Sequence, residues 1–98
     1  MMSYTLKQLL KLIGAKVAFY RTLRGLKQQE LADRVSMSRS TINKVERGGY
    51  NDNLSIDMLF TLANGLGINV RMLLEITPED EKMLKEMELW EEQFDDFV

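Results

Sequence analysis

Residues 28–47 read QQELADRVSMSRSTINKVER, and this stretch decides the fold. Leu31 and Ala32 fall on one face of a short helix, with Ala32 small where a neighbouring helix must come close. Val35 ends that helix and Met37 fills the corner after it. Ser38 is a good N-cap for a second helix, its hydroxyl placed to accept an orphan backbone N–H. Ile42 and Val45, three residues apart, give the second helix a narrow inward stripe. The rest of it, Arg39, Ser40, Thr41, Asn43, Lys44 and Arg47, is polar or basic.

Two short helices meeting at a tight corner have the outline of a helix-turn-helix. In that motif one helix braces while the next, here residues 38–47, lies in the major groove of DNA. A narrow apolar stripe and a wide donor-rich face suit a groove lined with base edges and phosphates.

Working outward, the 98 residues suffice for one small domain with a single core. The chain has no Cys, so neither disulfides nor thiolate metal sites contribute, and a cytoplasmic location is expected. It also has no His, which removes the usual general base and the commonest transition-metal ligand. No cofactor and no metal are therefore expected, and an enzyme has little support. The opening residues Met1-Met2-Ser3-Tyr4-Thr5 lack the shape of a signal peptide. The apolar stretch from Leu9 to Val17 is broken by Lys11 and Lys16, so no membrane association is expected.

A net charge of −2 looks wrong for a DNA binder until the chain is divided. Residues 1–76 hold eleven Lys/Arg against six Asp/Glu, a balance of +5. Residues 77–98 hold two Lys against nine acids, a balance of −7. The part with the motif is basic, and an acidic appendage masks it.

The remaining pattern is helical. Leu6, Leu9, Leu10 and Ile13 share a face over Thr5–Leu12, a short helix or an extension of the next one. Val17 and Tyr20 continue inward to Leu23, and Gly25 ends the run. Residues 48–53, GGYNDN, are a loop by composition. Ser55 caps a fourth helix whose buried side is expected to be Ile56, Leu59, Phe60, Leu62 and Ala63. Asn69 is placed to cap a short fifth helix over Val70–Leu74. The alternation of Ile68, Val70, Met72, Leu74 and Ile76 also fits a strand, but Leu73 spoils it and the helix is preferred. Thr77-Pro78-Glu79-Asp80 opens the last helix with a cap, a first-turn Pro and acids at the positive helix end. That helix carries Met83, Met87, Trp90, Phe94 and Phe97 at heptad-like spacing, a seam that must bury against the protein's own body or against a second subunit.

Several segments together resemble the phage repressor/Cro-like (Xre-type) family of helix-turn-helix regulators, from about Ile13 to Glu75. They are the run from Tyr20 to Leu26, then Gln28-Gln29-Glu30-Leu31-Ala32, Val45-Glu46-Arg47-Gly48, and Leu62 to Ile68, where Gly65 stands in place of the usual Ala. The corner usually has Gly where this chain has Ser36; a left-handed Ser there costs ~1 kcal/mol without forbidding the turn. The resemblance implies an all-α fold: a five-helix DNA-binding domain over 13–76, preceded by a helical extension over 1–12 and followed by the acidic amphipathic helix over 77–98.

It also implies that Arg39, Ser40, Asn43 and Lys44 read bases, and that Arg21 and Glu46 form a structural ion pair. The chemistry agrees: Arg and Lys suit the O6/N7 edge of guanine, and Asn suits adenine N6/N7. Gln28 opens the brace helix and is placed to hold a phosphate, with Ser38, Thr41, Arg47, Tyr50 and Asn51 as further backbone contacts. The expected function is a homodimeric repressor of a pseudo-palindromic operator on double-stranded DNA. The alternative is an antitoxin that binds its own operator and a protein toxin. An interaction module without DNA binding is a more distant reading, because the donor-rich face argues against it.

Overall fold

The computed structural model describes residues 5–49 and 54–94. Its six helices are α1 (Leu6–Leu23), α2 (Gln28–Val35), α3 (Arg39–Glu46), α4 (Ile56–Leu66), α5 (Arg71–Leu74) and α6 (Pro78–Phe94). The fold class is all-α, with no strand among the described residues.

Local hydrogen bonding places most of the boundaries. Thr5 Oγ1 accepts from Gln8 N–H at 3.1 Å while the Gln8 side chain takes the Thr5 N–H, a reciprocal box that starts α1. Ser38 and Ser55 cap α3 and α4, accepting from Thr41 N–H at 3.0 Å and Met58 N–H at 3.1 Å. Glu30 accepts the Lys27 N–H at the start of α2. Thr77 and Asp80 form a second box at the start of α6.

The first four helices also end alike. A residue in left-handed conformation follows each: Gly25 (φ 71°), Ser36 (φ 55°), Gly48 (φ 69°) and Gly67 (φ 68°). The next N–H reaches back five residues to the carbonyls of Arg21, Ala32, Lys44 and Ala63, the Schellman arrangement. Ser36 is the non-glycine member of this set, as its place in the corner implied.

The core is built from Val17 of α1, Leu31 and Ala32 of α2, Ile42 and Val45 of α3, and Leu62 and Leu66 of α4, with Leu73 of α5. Two glycines allow the close crossings. A Cβ on Gly14 would lie 2.2 Å from the Val45 carbonyl oxygen, so α1 can cross the end of α3 only without one. A Cβ on Gly65 would lie 2.4 Å from Val35 Cγ1, which explains the glycine in place of alanine.

The structure corrects or completes several readings. Helix α1 is continuous through residues 12 and 13. Residues 71–74 are helical, and Asn69 Oδ1 accepts the Arg71 N–H, so the alternating pattern there does not make a strand. On α4 the buried side is Leu59, Leu62, Ala63 and Leu66, whereas Ile56 and Phe60 are exposed. Phe60 lies about 100° around the helix from Leu59, outside the stripe that meets α1 and α2.

The last helix does not use the heptad seam to pack on the body of the protein. Leu84 is its buried anchor against α1, while Met87 is half-buried, Met83 is 36% exposed and Trp90 is 62% exposed. Phe19 and Leu23 of α1 are exposed as well. The Phe94 side chain and Phe97 lie outside the described residues. Polar contacts set the docking register instead. Lys16 pairs with Asp80 at 3.0 Å and donates to the Glu75 carbonyl, and Gln8 Nε2 donates to Glu88 at 2.8 Å.

Candidate nucleic-acid interface

Helix α3 projects Arg39, Ser40 and Lys44 into solvent, with Asn43 half-buried at the edge of the same face and Arg47 exposed just past its end. Ile42 and Val45 are fully buried beneath them, so the polar face follows from how the apolar stripe is seated. Ser38 Oγ is used by the cap and stands 2.8 Å from the Thr41 hydroxyl, which holds both side chains at the start of the helix.

Behind this face lies a four-residue network. Arg21 of α1 donates to Glu46 of α3 through Nε at 2.6 Å and Nη2 at 3.1 Å, and through Nη1 to the Leu26 carbonyl at 2.8 Å. The side chains are only 18% and 7% exposed, so the pair is largely removed from water. The Glu46 hydrogen bond raises the Arg21 guanidinium above its ordinary value, outweighing the opposing effect of burial. Gln28, the first residue of α2, donates from Nε2 to Glu46 at 3.1 Å and to Asn43 Oδ1 at 3.4 Å. One carboxylate thus fixes the start of α2, the end of α3 and the last turn of α1 relative to one another. Such fixing lets a rigid helix hold side chains in register with a groove.

The structure therefore brings together Arg21, Glu46, Gln28 and Asn43, and places Arg39, Ser40 and Lys44 beside them. Tyr50 and Asn51 lie outside the described residues. The Gln28–Asn43 link was not foreseen from the sequence, because fifteen residues and a corner separate the two. Also unforeseen was Arg24, whose Nε donates to the Leu66 carbonyl at 3.0 Å and ties the end of α1 to the end of α4. None of the described helices is long and apolar enough to cross a membrane.

The helix-turn-helix family model matches residues 17–73, more than half of the chain. The chain belongs to this repressor/Cro-like (Xre-type) helix-turn-helix family of DNA-binding transcriptional regulators. It is 34% identical over 55 residues to an HTH-type transcriptional regulator of Methanocaldococcus jannaschii, covering 56% of this chain and 80% of that one. Among solved structures it is similar to the restriction-modification controller protein C.AhdI from Aeromonas hydrophila. There the identity is 36% and the TM-score 0.61, over 65% of this chain and 94% of that one. The clp gene regulator ClgR from C. glutamicum is 26% identical with a TM-score of 0.60, over 74% and 87% of the two chains. A hypothetical transcription factor, NHTF, from Neisseria shares the fold, with a TM-score of 0.67 at 23% identity over 86% and 93% of the chains.

Proposed function

We propose that this regulator is a homodimeric repressor that reads a pseudo-palindromic operator with α3. The observation that carries the reading is the exposed donor face of Arg39, Ser40 and Lys44, braced from behind by the Arg21–Glu46 pair. Arg39 and Lys44 address guanine O6/N7, with Ser40 as an adaptable donor or acceptor. Asn43 keeps its amide N–H groups and one Oδ1 lone pair for adenine while Gln28 steadies it. Ser38, Thr41 and Arg47 take the flanking phosphates together with Tyr50 and Asn51, and Gln28 does so through the backbone N–H groups at the start of α2, since its Nε2 hydrogens go to Glu46 and Asn43.

Dimerisation through the C-terminal helix is supported by the apolar side chains that α6 leaves exposed, Met83, Leu89 and Trp90, of which Met83 shares a pocket with the exposed Phe19 of α1. A two-fold pair of this kind sets its recognition helices about 34 Å apart, one helical turn of DNA.

The test is selection from a random duplex pool, followed by sedimentation of the free protein. A palindromic consensus with a steep salt dependence and a dimer mass supports the reading. Failure to enrich any sequence at low salt, with folded protein, overturns it. A non-identical protein that stays bound through purification would assign the exposed α6 side chains to that partner, the antitoxin reading.

A further inference from the structure

The N-terminal half of α1 lies beside the far end of the recognition helix. Gly48, just past α3, approaches α1 so closely that a Cβ there would lie 2.9 Å from Lys11 Cα. An open groove of about 610 Å³ runs here, lined by Leu6, Lys7, Leu10 and Lys11 of α1 and by Arg47, Gly48 and Gly49. Lys7 and Lys11 are four residues apart and share a helix face. None of the described lining residues is acidic.

Two features single this groove out. The chain has no Lys or Arg between Arg47 and Arg71, and that interval contains Asp52 and Asp57. Lys44 in the last turn of α3 and Arg47 just past it carry the helix's own positive charge at this end, and Lys7 and Lys11 add to it from a segment folded back from the start of the chain. That segment precedes residue 17, where the match to the family begins.

We infer that the groove is a phosphate-binding site, in which Lys7, Lys11 and Arg47 hold the DNA backbone flanking the bases read by α3. The inference rests on the operator-binding reading and extends its footprint outward. Three cations with no amide or hydroxyl side chain among them suit phosphate oxygens and carry no base preference. The site therefore adds affinity and salt dependence without altering the sequence read.

The experiment compares wild type, Lys7→Gln and Lys7→Gln/Lys11→Gln on the selected operator duplex, with Lys85→Gln on α6 as control. Affinity is measured across salt concentrations and phosphate contacts are mapped by ethylation interference. Lys7→Gln is expected to reduce the slope of log K against log salt by about 0.9 per subunit, about 1.8 for a dimer, with the selected consensus unchanged. The matching interference signal should vanish outside the bases read by α3, and Lys85→Gln should alter neither. Lys7 is exposed, so the single variant decides the matter even if Lys11→Gln perturbs folding. An unchanged slope and interference pattern, with wild type binding normally, overturns the groove alone. Wild type that binds no duplex at low salt overturns the operator reading and the groove with it.

Discussion

Replacing Glu46 by Ala should destabilise the protein by about 3 kcal/mol. The carboxylate accepts three hydrogen bonds, two from Arg21 at 2.6 and 3.1 Å and one from Gln28 at 3.1 Å. Bonds to charged groups contribute about 1.5–3 kcal/mol each, but desolvation of both ions offsets much of that. The larger part of the loss is what the deletion leaves behind. Arg21 would keep only the Leu26 carbonyl, in a site where its side chain is 18% exposed. Breaking a buried pair costs about 3–5 kcal/mol, and partial access of water to Arg21 favours the lower end. Against a total of roughly 5–15 kcal/mol for small proteins, this is a large fraction.

The assay is urea unfolding followed by circular dichroism, with linear extrapolation. A companion thermal scan should fall by about 12–24 °C, at ~4–8 °C per kcal/mol for a domain of this size. A cycle of Glu46→Ala, Arg21→Met and the double variant Arg21→Met/Glu46→Ala isolates the pair, and the double variant should lose less than the two single losses added together. A loss below about 1 kcal/mol, or a coupling energy below about 0.5 kcal/mol, would refute the claim that this carboxylate joins the three helices. DNA affinity measured where Glu46→Ala is still folded should also drop, because Gln28 and Asn43 lose their shared anchor.

Four further outcomes follow from the same structure. Ser36→Gly should stabilise by about 0.5–1 kcal/mol in urea titration, since the left-handed Cβ penalty exceeds the unfolded-state entropy that glycine adds. Gly14→Ala should destabilise by roughly 2 kcal/mol despite its gain in helix propensity, because the Val45 carbonyl oxygen would stand 2.2 Å from the new carbon; a stable variant with normal DNA affinity would contradict this. Burial pushes the Asp80 carboxyl up, but the Thr77 backbone N–H and Lys16 together hold it below its ordinary value. Its folded pKa lies below the unfolded one, so the stabilisation is present above about pH 4 and is lost as pH falls through the folded value; urea midpoints of Asp80→Asn should lack this acid-dependent component. Arg39→Ala should reduce discrimination at one base pair per half-site by about 1–3 kcal/mol, whereas equal weakening on all duplexes would make Arg39 a phosphate contact.

The elements legible in the sequence are those whose causes lie within about four residues. Ser38, Ser55 and Thr77 cap helices because each hydroxyl reaches an N–H three residues on. The spacing of Leu31, Ala32, Ile42 and Val45 sufficed to seat α2 and α3, and with them the outward face of Arg39, Ser40 and Lys44. The Arg21–Glu46 pair was reached only through resemblance to a family, since nothing local joins residues on different helices.

What the tertiary structure alone decided is which apolar face each outer helix buries. The heptad spacing of Met83, Met87 and Trp90 is real, yet Leu84 is the residue pressed against α1, because Lys16, Gln8 and the Thr77–Asp80 cap set the rotation of α6. Ile56 and Phe60 are apolar, yet α4 leaves them exposed. Gln28, read as a phosphate contact from its place at a helix start, is also a buttress for Asn43. Likewise, Lys7 and Lys11 line one groove with Arg47 because Gly48 lets α1 close over the end of α3. Periodicity specifies that a helix has an apolar side, but the choice among near-equivalent sides depends on partners distant in the chain.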